Sequence, residues 1–165
     1  MTLDTQYAAV AAPGKYLSFV LGDEEYGVEI LKVQEINGLT KATRVPRTPD
    51  FVRGVINLRG KVIPVIDLRR KLGMATGPDT EKTCNIVVQI RHRDENVTMG
   101  VIVDDVSEVL NFSADQIDPP PAFGSGVQAE FIIGMGKLEN NVVILLDIEK
   151  VLSGSELESL ATVGA

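Results

Sequence analysis

Gly54-Val55-Ile56-Asn57-Leu58-Arg59-Gly60-Lys61-Val62-Ile63-Pro64-Val65-Ile66-Asp67-Leu68-Arg69 is the stretch on which the fold turns. Two runs of β-branched residues flank an Asn-Leu-Arg-Gly segment, and asparagine and glycine are turn formers because both tolerate backbone angles other residues avoid. The spacing predicts strands over Gly54 to Leu58 and Val62 to Leu68. Runs of the same kind recur outward along the chain, at Tyr16 to Leu21, Tyr26 to Ile30, Ile86 to Ile90, Thr98 to Val103 and Val142 to Leu146. Gly22-Asp23-Glu24-Glu25 between the first two is turn chemistry, as are Arg91 to Asn96 and Glu139-Asn140-Asn141. Valine (21) and isoleucine (13) dominate the apolar residues and tryptophan is absent, which favours sheet over helix. The one amphipathic helical pattern is Ser153 to Leu160, with a serine cap and acids in its first turn.

Two parts of the chain repeat. Gly27-Val28-Glu29-Ile30-Leu31-Lys32-Val33-Gln34-Glu35-Ile36 lies over Gly100-Val101-Ile102-Val103-Asp104-Asp105-Val106-Ser107-Glu108-Val109 at an offset of 73 residues. Val62 to Leu68 lies over Val142 to Ile148 at an offset of 80. Registers this close point to a duplicated β unit. Each half is too small to be stable alone, so the expectation is two small, closed or nearly closed barrels side by side, sharing apolar surface.

The length, 165 residues, suits one domain or two very small ones, and 44% hydrophobic with 24% charged residues is a globular composition. No apolar run reaches the roughly 18 residues a membrane-spanning helix needs. The first residues lack the pattern of a secretory signal, and the single cysteine, Cys84, cannot form an internal disulfide, so a cytoplasmic setting is expected. A net charge of −7 argues against nucleic acid as partner. The charge is uneven: Lys41 to Lys71 holds nine Lys/Arg against two acids, a net +7, while the remainder holds −14. Such a split can orient partners, or it can be no more than solvated strand faces.

Chemistry is scarce. His92 is the only histidine and stands between two arginines; Cys84 reads as a small hydrophobe at a strand start; one His and one Cys do not make a zinc site. Asp104-Asp105 lacks the spacing of a calcium loop. Gly134-Met135-Gly136-Lys137 lacks the length and the hydroxyl residue of a phosphate loop. No catalytic residue, metal or cofactor is expected, and a binding module explains the chain better than an enzyme. Two contact regions stand out: Ile30 to Ile36 together with Thr48 to Gly60, and Asp118 to Gly126, where Phe123 sits among prolines and glycines. Phe123 is either an interface anchor or a plug folded over a barrel end.

With these residues in view, the sequence resembles the CheW coupling proteins of bacterial chemotaxis. The resemblance rests on Gly22 to Ile36, on the opening stretch Gly54 to Arg69, on Gly100 to Asp104 and on Ile148-Glu149-Lys150-Val151-Leu152. It implies an all-β fold of two five-stranded, SH3-like β-barrels packed side by side, with a short C-terminal helix. Residues 16–152 would form this domain, 1–15 a flexible segment, and 153–165 the C-terminal helix or tail. It implies a non-enzymatic cytoplasmic adaptor, recruited to membrane-associated receptor arrays. Its partners would be the cytoplasmic hairpin tip of chemoreceptors, the regulatory domain of the chemotaxis histidine kinase, and copies of itself in rings. The receptor helix would lie between the barrels against Ile30, Val33 and Glu35, with Gly54, Asn57 and Arg59 nearby and Val103 and Val106 from the repeated segment. Gly54 would permit close approach of that helix, and Phe123 would belong to the kinase contact. Glu35 and Arg59 are free either to bond the helix or to pair with each other. Two other readings stay open, a paralogous module derived from or competing with the kinase's regulatory domain, and a small ligand-binding or hydrolytic barrel.

Overall fold

The computed structural model describes residues 11–75, 77–120 and 131–152. Eleven strands fall into two sheets: β1 (Gly14–Leu21), β2 (Glu24–Glu29), β3 (Val33–Gly38), β4 (Val52–Leu58), β5 (Lys61–Asp67), β6 (Cys84–His92), β7 (Glu95–Val103), β8 (Asp105–Phe112), β9 (Ile117–Asp118), β10 (Ile132–Lys137) and β11 (Val142–Leu146). One sheet runs β8-β1-β2-β11-β10-β9 and the other β3-β6-β7-β5-β4. One-turn helices α1 (Leu68–Lys71) and α2 (Ile148–Val151) end the two halves. Asp67 and Asp147 cap them by accepting backbone N–H groups of the first turn. The expected helix over Ser153 to Leu160 and the anchor Phe123 lie outside the described residues.

All seven runs read from the sequence are strands. The Asn-Leu-Arg-Gly segment closes the β4–β5 hairpin, Leu58 pairing with Lys61 across Arg59 (φ 50°) and Gly60 (φ 88°). Asn57 Oδ1 accepts from Gly60 N at 2.7 Å and holds this turn.

The duplication is present as two sheets side by side, each drawing strands from both halves of the chain. The hairpin β1–β2 is joined by β11 in parallel, through Ile144 to Tyr26 and Leu145 to Gly27. The hairpin β6–β7 is joined by β5 in parallel, through Val65 to Gly100 and Ile66 to Val101. Gly27 and Gly100 are thus equivalent, as are Val65 and Leu145, and the two offsets seen in the sequence are the two halves of one pseudo-symmetry. The equivalence extends to details: Asp67 N bonds Phe51 O at 2.7 Å, and Asp147 N bonds Phe131 O at 2.9 Å. Each sheet therefore holds one half's first hairpin, flanked by the other half's third strand and second hairpin. The second sheet has the five strands expected; the first has six, because the two-residue β9 adds to β10.

Burial follows this exchange. The larger core lies between the sheets and draws on both, with Leu17, Phe19, Leu21 and Leu146 from one and Ile66, Ile86, Val88 and Val101 from the other. A second cluster fills the inner side of the six-stranded sheet, where Tyr16 meets Phe112 edge to face at 6.0 Å between ring centres. The Tyr16 hydroxyl donates to Ala12 O at 2.6 Å, and burial pushes its pKa up to about 12. Arg59 and Thr43 bring β3 and β4, the outer strands of the five-stranded sheet, towards each other: Arg59 pairs with Glu35 on β3, and Thr43 bridges Val55 on β4. No described ladder joins the two ends of that sheet.

Candidate partner-binding groove

The third strand of each half, β3 or β8, is the outermost strand of its sheet, and each is reached by a crossover from the other sheet. The β2–β3 crossover is the 3₁₀ turn Ile30–Lys32, and the β7–β8 crossover is Asp104. Both outer strands carry a register shift early in their pairing. On β3 it falls between Val33, opposite Val88, and Glu35, opposite Val87. On β8 it falls between Val106, opposite Phe19, and Val109, opposite Leu17.

An irregularity of this kind lets residues three apart face the same way, because side chains otherwise alternate. Val33 and Ile36 lie opposite Val88 and Ile86, which both belong to the shared core; Val106 and Val109 lie opposite Phe19 and Leu17, which do too. Val33 and Val106 pack against that core, while Ile36 and Val109, the equivalent pair one step on, are 44% and 49% exposed. Two matched pairs of branched apolar residues thus flank the seam, one pair per sheet. Ile36 closes the contact region Ile30 to Ile36, and Val109, outside both contact regions, is its counterpart at the last position of the repeated pattern, where both halves hold a β-branched residue.

The other candidates take varied places. Ile30 packs on the shared core at the crossover. Val103 is 1% exposed, so it supports the seam from within and offers no contact surface. Gly54, expected to admit a partner helix, is occupied by the chain itself: a Cβ there would lie 2.2 Å from Thr43 O and 2.7 Å from its carbonyl carbon. Asn57 is exposed and serves its own turn.

Glu35 and Arg59 adopt the mutual pair. Arg59 Nη1 donates to Glu35 Oε1 at 2.9 Å and Nη2 to Oε2, a two-point contact between the β4–β5 turn and β3. Hydrogen bonds from Arg59 and then Asn37 hold the Glu35 carboxyl below its ordinary pKa. Glu35 lies opposite Val87, which is not part of the shared core, so the pair stands on the other face of β3 from Val33 and Ile36 and ties that strand to the β4–β5 turn from behind.

Much of the basic stretch is neutralised within the fold. Arg53 bonds Asp79 and Asp67, Arg69 bonds Asp104, and Lys71 lies 4.4 Å above the Phe51 ring centre. Its use for steering is smaller than the +7 suggests. Cys84 is half-buried, its thiol pKa raised by burial, and His92 is half-buried at the end of β6 with Nε2 covered. Among the described residues no group of His, Cys, Asp and Glu is placed to hold a metal, and no helix is long and apolar enough to cross a membrane.

A family model for the CheW-like domain matches residues 15–156. The chain belongs to the CheW-like domain family. It is 46% identical over 143 residues to the chemotaxis protein CheW of Klebsiella aerogenes, covering 87% of this chain and 84% of that protein. The probable chemotaxis protein CheW of Rhizobium etli is 36% identical over 143 residues, covering 87% and 90%. The crystal structure of the scaffolding protein CheW from Thermoanaerobacter tengcongensis superposes with a TM-score of 0.75 at 32% identity, over 88% of this chain and 96% of that one. The CheW-like domain accounts for both sheets and for both walls of the seam.

Proposed function

We propose that this chain is a non-enzymatic scaffold of bacterial chemotaxis, which couples the cytoplasmic hairpin tip of chemoreceptors to the regulatory domain of the histidine kinase. The observation that carries the reading is the matched set Val33, Ile36, Val106 and Val109 on the outer strands of two sheets that share one core. A helix with an apolar stripe is the partner such a seam suits, since branched side chains on both walls meet residues spaced three and four apart. Ile30 extends the first wall; Glu35 and Arg59 brace β3 from its other face. Gly54, Asn57 and Val103 act by shaping the site. Phe123 is assigned to the kinase contact, residues 16–152 to the working unit, and the cytoplasmic face of receptor arrays to its place of action, with further copies joining in rings.

The test is receptor-stimulated kinase autophosphorylation, measured with and without this protein. Addition should raise the rate, and Ile36→Asp or Val109→Asp should abolish the increase while the melting temperature stays within a few degrees. Burying an unpaired carboxylate against an apolar helix costs about 2–4 kcal/mol, enough to weaken binding by roughly thirtyfold or more. Unchanged stimulation with both substitutions would remove the groove; no stimulation by the native protein would remove the scaffold reading.

A further inference from the structure

The two crossovers that lead into the groove strands are each fastened by a partly buried ion cluster, the two helix and hairpin positions matching and the crossover residue falling one position earlier in the second, with the polarity reversed. At the second crossover the acid lies on the crossover itself. Asp104 Oδ2 accepts from Gly22 N, in the β1–β2 turn, at 2.7 Å, and Arg69 of α1 donates through Nε at 2.8 and 3.0 Å and through Nη2. At the first crossover the acid lies on the helix. Glu149 Oε2, on α2, accepts from Arg91 N, near the tip of the β6–β7 hairpin, at 3.0 Å and from Lys32 Nζ at 2.9 Å.

The matched registers make Gly22 equivalent to Arg91, Arg69 to Glu149 and Asp105 to Lys32. In both clusters the carboxylate takes the N–H of a hairpin tip belonging to one sheet and a cation, while the helix involved follows the other sheet. Each cluster therefore ties the two sheets together. Each also stands at the start of a groove strand: Lys32 directly precedes Val33, and Asp104 directly precedes β8. Ordinary surface ion pairs add little to stability. These differ in that a partly buried acid joins a charge and a backbone donor from separate elements, twice, with the chemistry reversed but the connection kept.

We propose that the Asp104–Arg69 and Glu149–Lys32 clusters set the spacing of β3 and β8, so that these four are positioning residues for the partner helix without touching it. This deepens the groove reading above, but its first test needs no partner. Spin labels are placed on Ile36→Cys and Val109→Cys in a Cys84→Ser background and their separation is measured by electron–electron resonance. The native clusters should give one narrow distance distribution. Asp104→Asn and Glu149→Gln should each broaden or shift it, and the reversal Arg69→Glu with Asp104→Lys, which recreates the polarity of the first cluster, should narrow it again.

Should the substitutions unfold the chain, the native clusters can be weakened by salt instead. Raising NaCl from about 0.1 M to about 1 M shortens the screening length from about 10 Å to about 3 Å, and the distribution should widen. A distribution already broad at low salt, or one unmoved by both salt and neutralisation, overturns the proposal. In unlabelled protein, Asp104→Asn should weaken binding of the receptor hairpin several-fold, with the reversal restoring it. Distances that respond while affinity does not would also overturn the positioning role. Failure of the native protein to bind that hairpin would strike the groove reading and leave the distance result standing.

Discussion

Gly54 and Gly14 share nearly the same backbone angle, φ 144° and 145°, and differ in what surrounds them. A Cβ on Gly54 would strike the backbone of Thr43, whereas one on Gly14 would meet nothing within 4 Å. Gly14→Ala should therefore cost only the backbone strain, about 1–2 kcal/mol, and Gly54→Ala roughly 3 kcal/mol, read from denaturant midpoints. Equal losses would mean that the Thr43 crossing yields. A glycine beside a β run was visible in the sequence, but the segment that claims its missing side chain comes from eleven residues earlier, outside the reach of any local pattern.

Asp104 and Glu149 show the same limit. The net pKa of each is lowered: burial raises it, and the cation and the hairpin N–H outweigh that effect. A carboxyl whose folded pKa is depressed contributes stability that is fully present above its unfolded value, near 4, and is lost as pH falls through the folded one. Melting temperature should therefore hold from pH 7 to about 5 and fall below about 4, and Asp104→Asn should lower the plateau while flattening the acid limb. An acid limb identical in the native protein and the variant would mean that Asp104 does not carry it.

At the scale of elements, legibility followed burial. Strands in the middle of a sheet, such as β6 and β7, are continuous apolar runs and were evident. The outer strands β3 and β8 belong to the repeated pattern but do not read as strands, because Val-Gln-Glu-Ile-Asn-Gly and Asp-Val-Ser-Glu-Val-Leu-Asn-Phe mix polar and apolar residues out of step with simple alternation. Their register shifts break the period of two, and that break is what turns Ile36 and Val109 towards the seam. β10 was hidden by its glycines; Gly136 is needed because a Cβ there would lie 2.6 Å from the Phe112 ring. The same geometry separates two substitutions on β3. Val33 packs on the shared core and Ile36 protrudes, so Val33→Asp should lower the melting temperature by several degrees and Ile36→Asp by little, with both losing the partner. A stable Val33→Asp protein would show that this position is already on the surface.

For the molecule as a whole, the repeat was legible and its wiring was not. Sequence similarity reports which segments are equivalent, while strand exchange depends on the crossovers at Ile30–Lys32 and Asp104, which carry no signal of direction. Because each sheet needs strands from both halves, neither half contains a complete sheet. Cutting the chain between Lys71 and Cys84 should give two fragments that are unfolded alone and that restore the β-sheet circular dichroism when mixed. Unfolding of the intact chain should be a single transition. A fragment that folds by itself would contradict the exchange.

That interweaving has a consequence for ancestry. A half-length forebear with this topology would have needed a twin, and rotational symmetry would have obliged both copies to change together. Fusion into one polypeptide lifts that obligation, and the copies have since drifted: leucine at 31 answers aspartate at 104, glutamate at 149 answers arginine at 69. Sites that match in place but carry reversed polarity cannot be interchanged by a half-turn, so a partner that reads those charges meets the two halves of this chain as different surfaces.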